Sequence, residues 1–158
     1  MSIEYNITPV PKPRMTRQDK WPNPPPKYKY KEWPRPAVKK YRTFCNQCNL
    51  EKVILPCYGS HVTFVLPFPQ SFSNKRKTKW IGKPHTQRPD LDNLLKALSD
   101  AVYGEDSGIY DIWATKRWGT TGKIIIEDFF GEEMREIIDR KEEKGRPPIC
   151  KVDRCGID

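Results

Sequence analysis

The clearest hydrophobic pattern in the chain begins at residue 91. Its apolar positions recur after three, four, seven and eleven residues, at Leu91, Leu94, Leu95, Leu98 and Val102. This spacing places all five on one face of an amphipathic helix. Pro89 marks the beginning of that helix, because proline is tolerated at a helix start but not in its interior. The pattern therefore predicts a helix that starts just after Pro89 and buries one face.

Shorter patterns predict the other elements. Alternating or β-rich runs predict four strands, over residues 2–8, 61–67, 109–118 and 123–127. Roughly helical spacing predicts further helices over residues 37–53 and 132–144. The residues Gly119-Thr120-Thr121-Gly122 are typical of a hairpin turn between the last two strands. Together these elements predict an α+β fold: one domain over residues 1–158, with a small mixed β-sheet and two main helices.

Two segments show no hydrophobic period. Residues 9–36 contain nine of the sixteen prolines, and so many fixed φ angles exclude a packed helix or a central strand. We therefore predict an extended, Pro-rich basic N-terminal arm there. Residues 145–158 are predicted to form a loose C-terminal tail.

Positive charge is concentrated in that arm and in the residues just after it. The chain has a formal net charge of +9, and eleven Lys/Arg against two acids lie between Val10 and Arg42, so the remainder is close to neutral. Aromatic residues alternate with these cations, as suits a phosphate backbone with unpaired bases. The alternative is a flexible, solubilising segment. Residues 69–85 repeat the charge pattern with no acid, and we expect a loop there that either positions phosphates or is merely solvated.

The sequence argues against a membrane protein and against a zinc site. No apolar run approaches the roughly 20 residues that a membrane-spanning helix needs, and the N-terminus has no hydrophobic signal segment, so we expect a cytoplasmic protein. Cys45 and Cys48, with Cys150 and Cys155, would supply four zinc ligands. The wide separation of the two pairs favours free thiols instead.

Carboxylates at the start of the helix after Pro89 indicate a candidate catalytic site. Asp90 and Asp92 flank its first residue, and capping explains one of them better than both. Asp100 lies about 12 Å further along the helix axis, too far to share a cation with Asp92. Asp106 follows the helix, and the next strand could return it to the helix start. Oxygen ligands without His or Cys suit Mg²⁺ or Mn²⁺, with Glu105 as an additional candidate.

Lys96 lies one turn beyond Asp92 on the same face. It is a candidate to hold a scissile phosphate during metal-assisted phosphodiester hydrolysis. The alternative is a simple i, i+4 ion pair with Asp92, worth a few tenths of a kcal/mol. The position alone does not separate these two roles.

The motif as a whole resembles a known family. The run from Arg88 to Ala101, followed by Glu105-Asp106-Ser107-Gly108-Ile109 and Lys116-Arg117, is similar to the RusA family of Holliday junction resolvases. The resemblance implies a mixed α/β fold and a homodimer that nicks four-way DNA junctions symmetrically with Mg²⁺, or with Mn²⁺ as a substitute. It implies a bacterial or phage-infected host cell as the setting.

The same resemblance assigns residues. It makes Asp90, Asp92 and Asp106 the metal ligands and Lys96 the active-site lysine, with Asp106 favoured over Glu105. The charge pattern, rather than the resemblance, makes eight cations candidate DNA contacts: Lys12, Arg14, Arg17, Lys75, Arg76, Lys77, Lys79 and Arg88. The competing interpretation is a non-catalytic DNA-binding protein that acts through the basic arm. No membrane partner is expected.

Overall fold

Four strands and three α-helices make up the part of the chain that the computed structural model describes, residues 2–20, 33–57, 59–104 and 106–128. The strands are β1 (Ser2–Tyr5), β2 (Ser60–Pro67), β3 (Ile112–Gly119) and β4 (Lys123–Asp128). The helices are α1 (Pro36–Leu50), α2 (Asn74–Trp80) and α3 (Leu91–Tyr103), with a short 3-10 helix at Arg17–Lys20. This is the predicted α+β class. The predicted helix over 132–144 and the tail over 145–158 lie outside the described residues.

The strands form one mixed sheet in the order β1-β4-β2-β3. β2 and β3 are parallel, and β4 runs antiparallel to both β1 and β2. The predicted hairpin between the last two strands is therefore wrong, because β2 lies between them. Residues 119–122 instead connect β3 to β4 past the end of β2, in close contact with their neighbours. A Cβ atom on Gly119 would lie 2.3 Å from Val65 Cγ1, and one on Gly122 would lie 2.4 Å from Thr8 Oγ1. The glycines permit that close approach.

One face of the sheet forms the core with α1 and α3. Alternate residues of β2 are completely or almost completely buried, and they pack with Ile124 and Ile126 of β4. Phe44 of α1 and Leu98 of α3 cover this layer. Full burial of each large apolar side chain contributes roughly 1.5–3 kcal/mol. The predicted apolar stripe of α3 is thus confirmed as the face that fixes the helix on the sheet.

α2 forms where a loop was expected. Its sequence, NKRKTKW, has no buried residue, so it carries no hydrophobic period to reveal it. Local interactions start it instead: the Ser73 hydroxyl accepts a hydrogen bond from the Arg76 N–H at 3.3 Å, as N-cap serines do. The Arg76 guanidinium also lies 3.9 Å from the centre of the Phe72 ring.

β3 begins three residues later than predicted. Residues 109–111 are held by loop hydrogen bonds rather than by a strand partner: Ile109 N donates to Asp106 O at 3.1 Å, and Tyr110 N donates to Cys57 O at 3.2 Å. Apolar alternation alone could not distinguish these loop contacts from strand pairing.

The described parts of the Pro-rich arm pack against the helices. Lys12 N donates to Asn93 O of α3 at 3.3 Å, and the Lys12 ammonium forms an ion pair with Asp100. Asp19 is 1% exposed and accepts hydrogen bonds from Arg35. These buried polar contacts tie residues 9–20 and 33–36 to the body, so an extended arm is not confirmed. Residues 21–32 lie outside the described part.

The cysteines differ among themselves. Cys45 and Cys48 are reduced residues of α1 that belong to the core layer, as expected for small apolar groups one turn apart. Cys57 is disulfide-bonded, whereas no disulfide was predicted from the sequence. Within the described ranges, no helix is both long enough and apolar enough to cross a membrane.

Candidate active site

The start of α3 carries two exposed carboxylates. Asp90 occupies the N-cap position, and its backbone carbonyl accepts a hydrogen bond from Leu94 N at 3.2 Å. Its side chain makes no capping hydrogen bond, so the carboxylate is not used to begin the helix. Asp92 lies in the first turn and is also exposed. Asp90 therefore occupies the N-cap position through its backbone, and its carboxylate is not taken up by capping.

α3 has three distinct faces. Its apolar face is buried against the sheet. A second face, with Asn93 and Asp100, is covered by Lys12 of the arm. The third, with Asp92 and Lys96, is exposed. The ion pair with Lys12 gives Asp100 a structural partner, and the two exposed residues are left facing solvent.

Asp106 lies beside the exposed face. Its Oδ2 atom is 3.7 Å from Lys96 Nζ, and the two side chains are 45% and 54% exposed. This distance exceeds a normal hydrogen bond, so the contact is a loose ion pair. The loop after α3 therefore folds back along the helix and brings Asp106 to the residue one turn beyond Asp92. Glu105 lies outside the described residues.

The carboxylates suit a hard divalent cation chemically but do not form a closed cage. Within residues 2–20, 33–57, 59–104 and 106–128, no three His, Cys, Asp or Glu side chains come together as a metal-binding group. Asp90 and Asp92 offer exposed oxygen donors, which Mg²⁺ prefers, and Mg²⁺ usually keeps several waters and takes few protein ligands. The assignment of Asp90, Asp92 and Asp106 as metal ligands stays a prediction.

Lys116 fixes the loop that leads into α3, a role that was not predicted from the sequence. Its ammonium donates to Gln87 O at 2.5 Å and to Pro89 O at 2.6 Å. These bonds join β3 to the residue immediately before Asp90. A signal was present: Lys116 shares the strand period of Ala114 and Trp118, which pack inward. A lysine in an inward register needs carbonyl or carboxylate partners.

His85 lies buried in the same loop. It is 6% exposed, its backbone N–H donates to Lys116 O at 3.0 Å, and its ring centre is 3.9 Å from that of Trp118. Burial, and secondly the positive charge of Lys116, lower the pKa of His85 below its ordinary value of 6.5. The uncharged form of the His85 ring is therefore favoured near neutral pH.

The predicted DNA-binding cations occupy two regions. Lys75, Arg76, Lys77 and Lys79 lie together on α2, and Arg88 is exposed in the loop before α3. Arg14 and Arg17 are exposed on the arm. Lys12 differs from the rest, since its ammonium is paired with Asp100. The structure thus places α2 and Arg88 in the segment that leads directly to Asp90.

A comparison with known protein families identifies the family of this chain. The model of the family described as endodeoxyribonuclease RusA matches residues 4–127, a range that includes every element of the sheet and helices except the ends of β1 and β4. No curated protein and no solved structure is significantly similar to the chain. Because the match covers most of the sequence, the chain belongs to the RusA family of endodeoxyribonucleases and is an endonuclease.

Proposed function

We propose that this endonuclease resolves four-way DNA junctions by Mg²⁺-dependent nicking. The observation that carries the proposal is the pair of exposed carboxylates at the start of α3, of which Asp90 forms no capping hydrogen bond. A carboxylate that neither caps a helix nor is buried remains available to a ligand. In an endodeoxyribonuclease, a divalent cation and the phosphate that it contacts are the ligands of matching charge.

Three aspartates would hold the cation. Asp90 and Asp92 provide oxygen donors from α3, and Asp106 would join them from the following loop. A bound Mg²⁺ would supply an activated water and neutralise charge on the phosphate. Lys116 acts as a positioning residue, because its bonds to Gln87 O and Pro89 O fix the backbone that precedes Asp90.

Lys96 would stabilise charge on the phosphate. Its ammonium is half-exposed and lies 3.7 Å from Asp106 Oδ2, so the loose pair leaves N–H donors for a phosphate oxygen. A cation directed at the place where negative charge develops lowers the barrier more than one that binds the ground state equally well.

The DNA backbone would run past α2. Four of its seven residues are Lys or Arg, and none is acidic. We infer that the protein acts as a homodimer, since a two-fold pair of sites matches the near two-fold symmetry of a four-way junction and allows two opposed cuts.

A nicking assay on a synthetic four-way junction tests the proposal. Wild-type protein should produce paired, symmetric nicks with Mg²⁺ and none with EDTA. Asp92→Asn should bind the junction in EDTA as wild type does but lose at least about 10³-fold in nicking rate, because metal activation supplies several kcal/mol and about 1.4 kcal/mol corresponds to a factor of ten.

Glu51→Gln provides the matched control. It makes the same carboxylate-to-amide change at an exposed residue at the end of α1, and it should leave nicking unchanged. Wild-type protein that binds the junction but leaves it uncut in both Mg²⁺ and Mn²⁺ would contradict the proposal, as would wild-type rates for Asp92→Asn.

A further inference from the structure

An exposed apolar pair ends the cationic helix. Trp80 is the last residue of α2 and is 36% exposed, and Ile81 follows it with 52% exposed. Single exposed apolar side chains need no explanation, but two adjacent ones at the end of a strongly cationic helix form a small apolar patch. The pair therefore calls for a partner that is both negatively charged and able to accept an apolar side chain.

The turn that holds this pair is firmly anchored. Lys83 N donates to Trp80 O at 3.0 Å and closes the turn, with Gly82 at a φ of +72° that favours glycine. Gly82 N then donates to Trp118 O at 2.8 Å, and Trp118 N donates to Lys83 O at 3.0 Å. The tip is thus fixed to the end of β3 by two backbone hydrogen bonds.

Aromatic rings pack around Trp118, the residue to which the turn is anchored. The Trp118 ring stacks on Phe68, with centres 5.4 Å apart and planes 8° apart, and it also contacts Phe72 at 5.5 Å. Trp118 is 5% exposed, so these rings form a packed base. A rigid base holds an exposed side chain in place at little entropic cost when a partner binds.

The turn and the loop before the candidate active site are both anchored to β3. Trp118, which anchors it, is two residues along β3 from Lys116, about 7 Å at strand spacing. Lys116 in turn holds Pro89 O beside Asp90. DNA whose phosphate reaches Asp90 would therefore pass close to Trp80 and Ile81.

We propose that Trp80 and Ile81 form a wedge that inserts between unstacked bases at the branch point of the DNA. The proposal rests on the proposed junction-resolving function and deepens it. Cations on α2 fit the phosphates, the Trp80 ring offers a face for base stacking, and apolar side chains inserted at a base step are an established way to hold DNA open. Bases at a branch point unstack more easily than those in a continuous duplex, so the wedge selects branched DNA.

Binding measurements in EDTA test the wedge without cleavage. The probes are a four-way junction and a duplex with the same arm sequence. Ile81→Ser and Trp80→Ala should each lower junction affinity about tenfold and leave duplex affinity within about twofold, so that the junction-to-duplex ratio falls. A 2-aminopurine at the branch point should brighten when wild type binds and brighten less with either variant.

Two variants provide controls. Lys79→Ala, from the same helix, should weaken junction and duplex binding alike and reduce the salt dependence of both, as expected for a phosphate contact. Leu50→Ala, at an 82% exposed residue of α1, should change neither. Thermal unfolding of Ile81→Ser should match wild type, because that side chain is already half-exposed.

The outcomes separate the wedge from the junction function. If wild type prefers and nicks junctions but both wedge variants keep the full junction-to-duplex ratio, the wedge is wrong and the proposed function stands. Equal binding of junction and duplex by wild type would remove the proposed junction selectivity and the wedge with it.

Discussion

Asp19 has surroundings opposite to those of Asp90 and Asp92. Asp19 is 1% exposed, and its carboxylate accepts hydrogen bonds from Thr16 N at 2.7 Å, Thr16 Oγ1 at 2.8 Å and Arg35 Nε at 2.9 Å. Asp90 and Asp92 are exposed, and Asp90 makes no capping bond. The first carboxylate has every partner that a buried charge requires, whereas the others have their oxygens directed to solvent.

The difference shows how a structural carboxylate can be distinguished from one available for chemistry. The Arg35 hydrogen bonds hold the pKa of Asp19 far below its ordinary value, against the opposing effect of burial. Asp19 thereby ties the two described ends of the Pro-rich arm together. Acidic residues alone do not separate the roles; burial and hydrogen bonding do.

Asp90→Ala should show the largest effect. If Asp90 serves the reaction rather than the helix, junction nicking should fall by at least about 10³-fold, while the free energy of unfolding changes by less than about 0.5 kcal/mol. A capping aspartate would instead cost about 1 kcal/mol. Urea unfolding and nicking rates measure both effects.

Ser73→Ala is the matched control for Asp90→Ala. The Ser73 hydroxyl does cap α2, so this variant should lose up to about 1 kcal/mol of stability. A larger stability loss for Asp90→Ala than for Ser73→Ala would reverse the roles assigned to the two caps.

Asp19→Ala should show the opposite behaviour. It removes the buried carboxylate to which Arg35 donates, and we expect stability to fall by about 2–3 kcal/mol, less than for a fully buried pair because the Arg35 side chain is 33% exposed. Nicking per folded molecule should stay within about twofold. The comparison variant is Glu4→Ala, which breaks the exposed pair with Lys123 and should cost below about 1 kcal/mol. Equal losses for the two would mean that burial of Asp19 contributes nothing.

Lys96→Met tests the remaining charge of the site. We expect nicking to slow by about 10²-fold, because a cation directed at developing charge is lost. Stability should change by less than about 0.5 kcal/mol, since the pair with Asp106 is loose and exposed. An unchanged nicking rate with a small stability loss would leave the ion pair as the whole role of Lys96.

The smallest expected effect is the loss of folding stability in acid. His85 has a lowered pKa, so the unfolded chain binds more protons than the native protein below pH 6.5, and stability should fall as the pH drops from that value. Asp19 also has a lowered pKa; its contribution is complete above its ordinary pKa of 3.8 and is lost as pH falls below that value. Urea midpoints from pH 7 to pH 3 measure both stages. The later stage should be absent in Asp19→Ala, and its persistence there would exclude Asp19 as the cause.

The sequence was informative where interactions are local or strongly periodic. The apolar stripe of α3 and the β-branched run of β2 were predicted because burial imposes a fixed spacing on such elements. The acidic start of α3 was found because proline and two nearby carboxylates mark a helix beginning.

Long-range arrangements were not predictable in the same way. The strand pairing of β4 depends on β2, which lies about sixty residues earlier, while Gly119 and Gly122 resemble a local hairpin. α2 has no buried side, so no hydrophobic pattern identified it. Lys116 positions the loop before Asp90 by donating to two backbone carbonyls there. The Lys12–Asp100 ion pair holds the arm against α3. Apart from α2, which local contacts start, each of these depends on partners that are distant in the chain.

The exposed carboxylates at the start of α3 are proposed to hold the cation used for cleavage. Crystals of the protein soaked in Mn²⁺, at a concentration that supports nicking, test it through anomalous diffraction. We expect an anomalous peak within ligand distance of the Asp90 or Asp92 carboxylate, and we expect it to be lost in Asp92→Asn. A Mn²⁺ peak bound elsewhere, with none at Asp90 or Asp92, would contradict it.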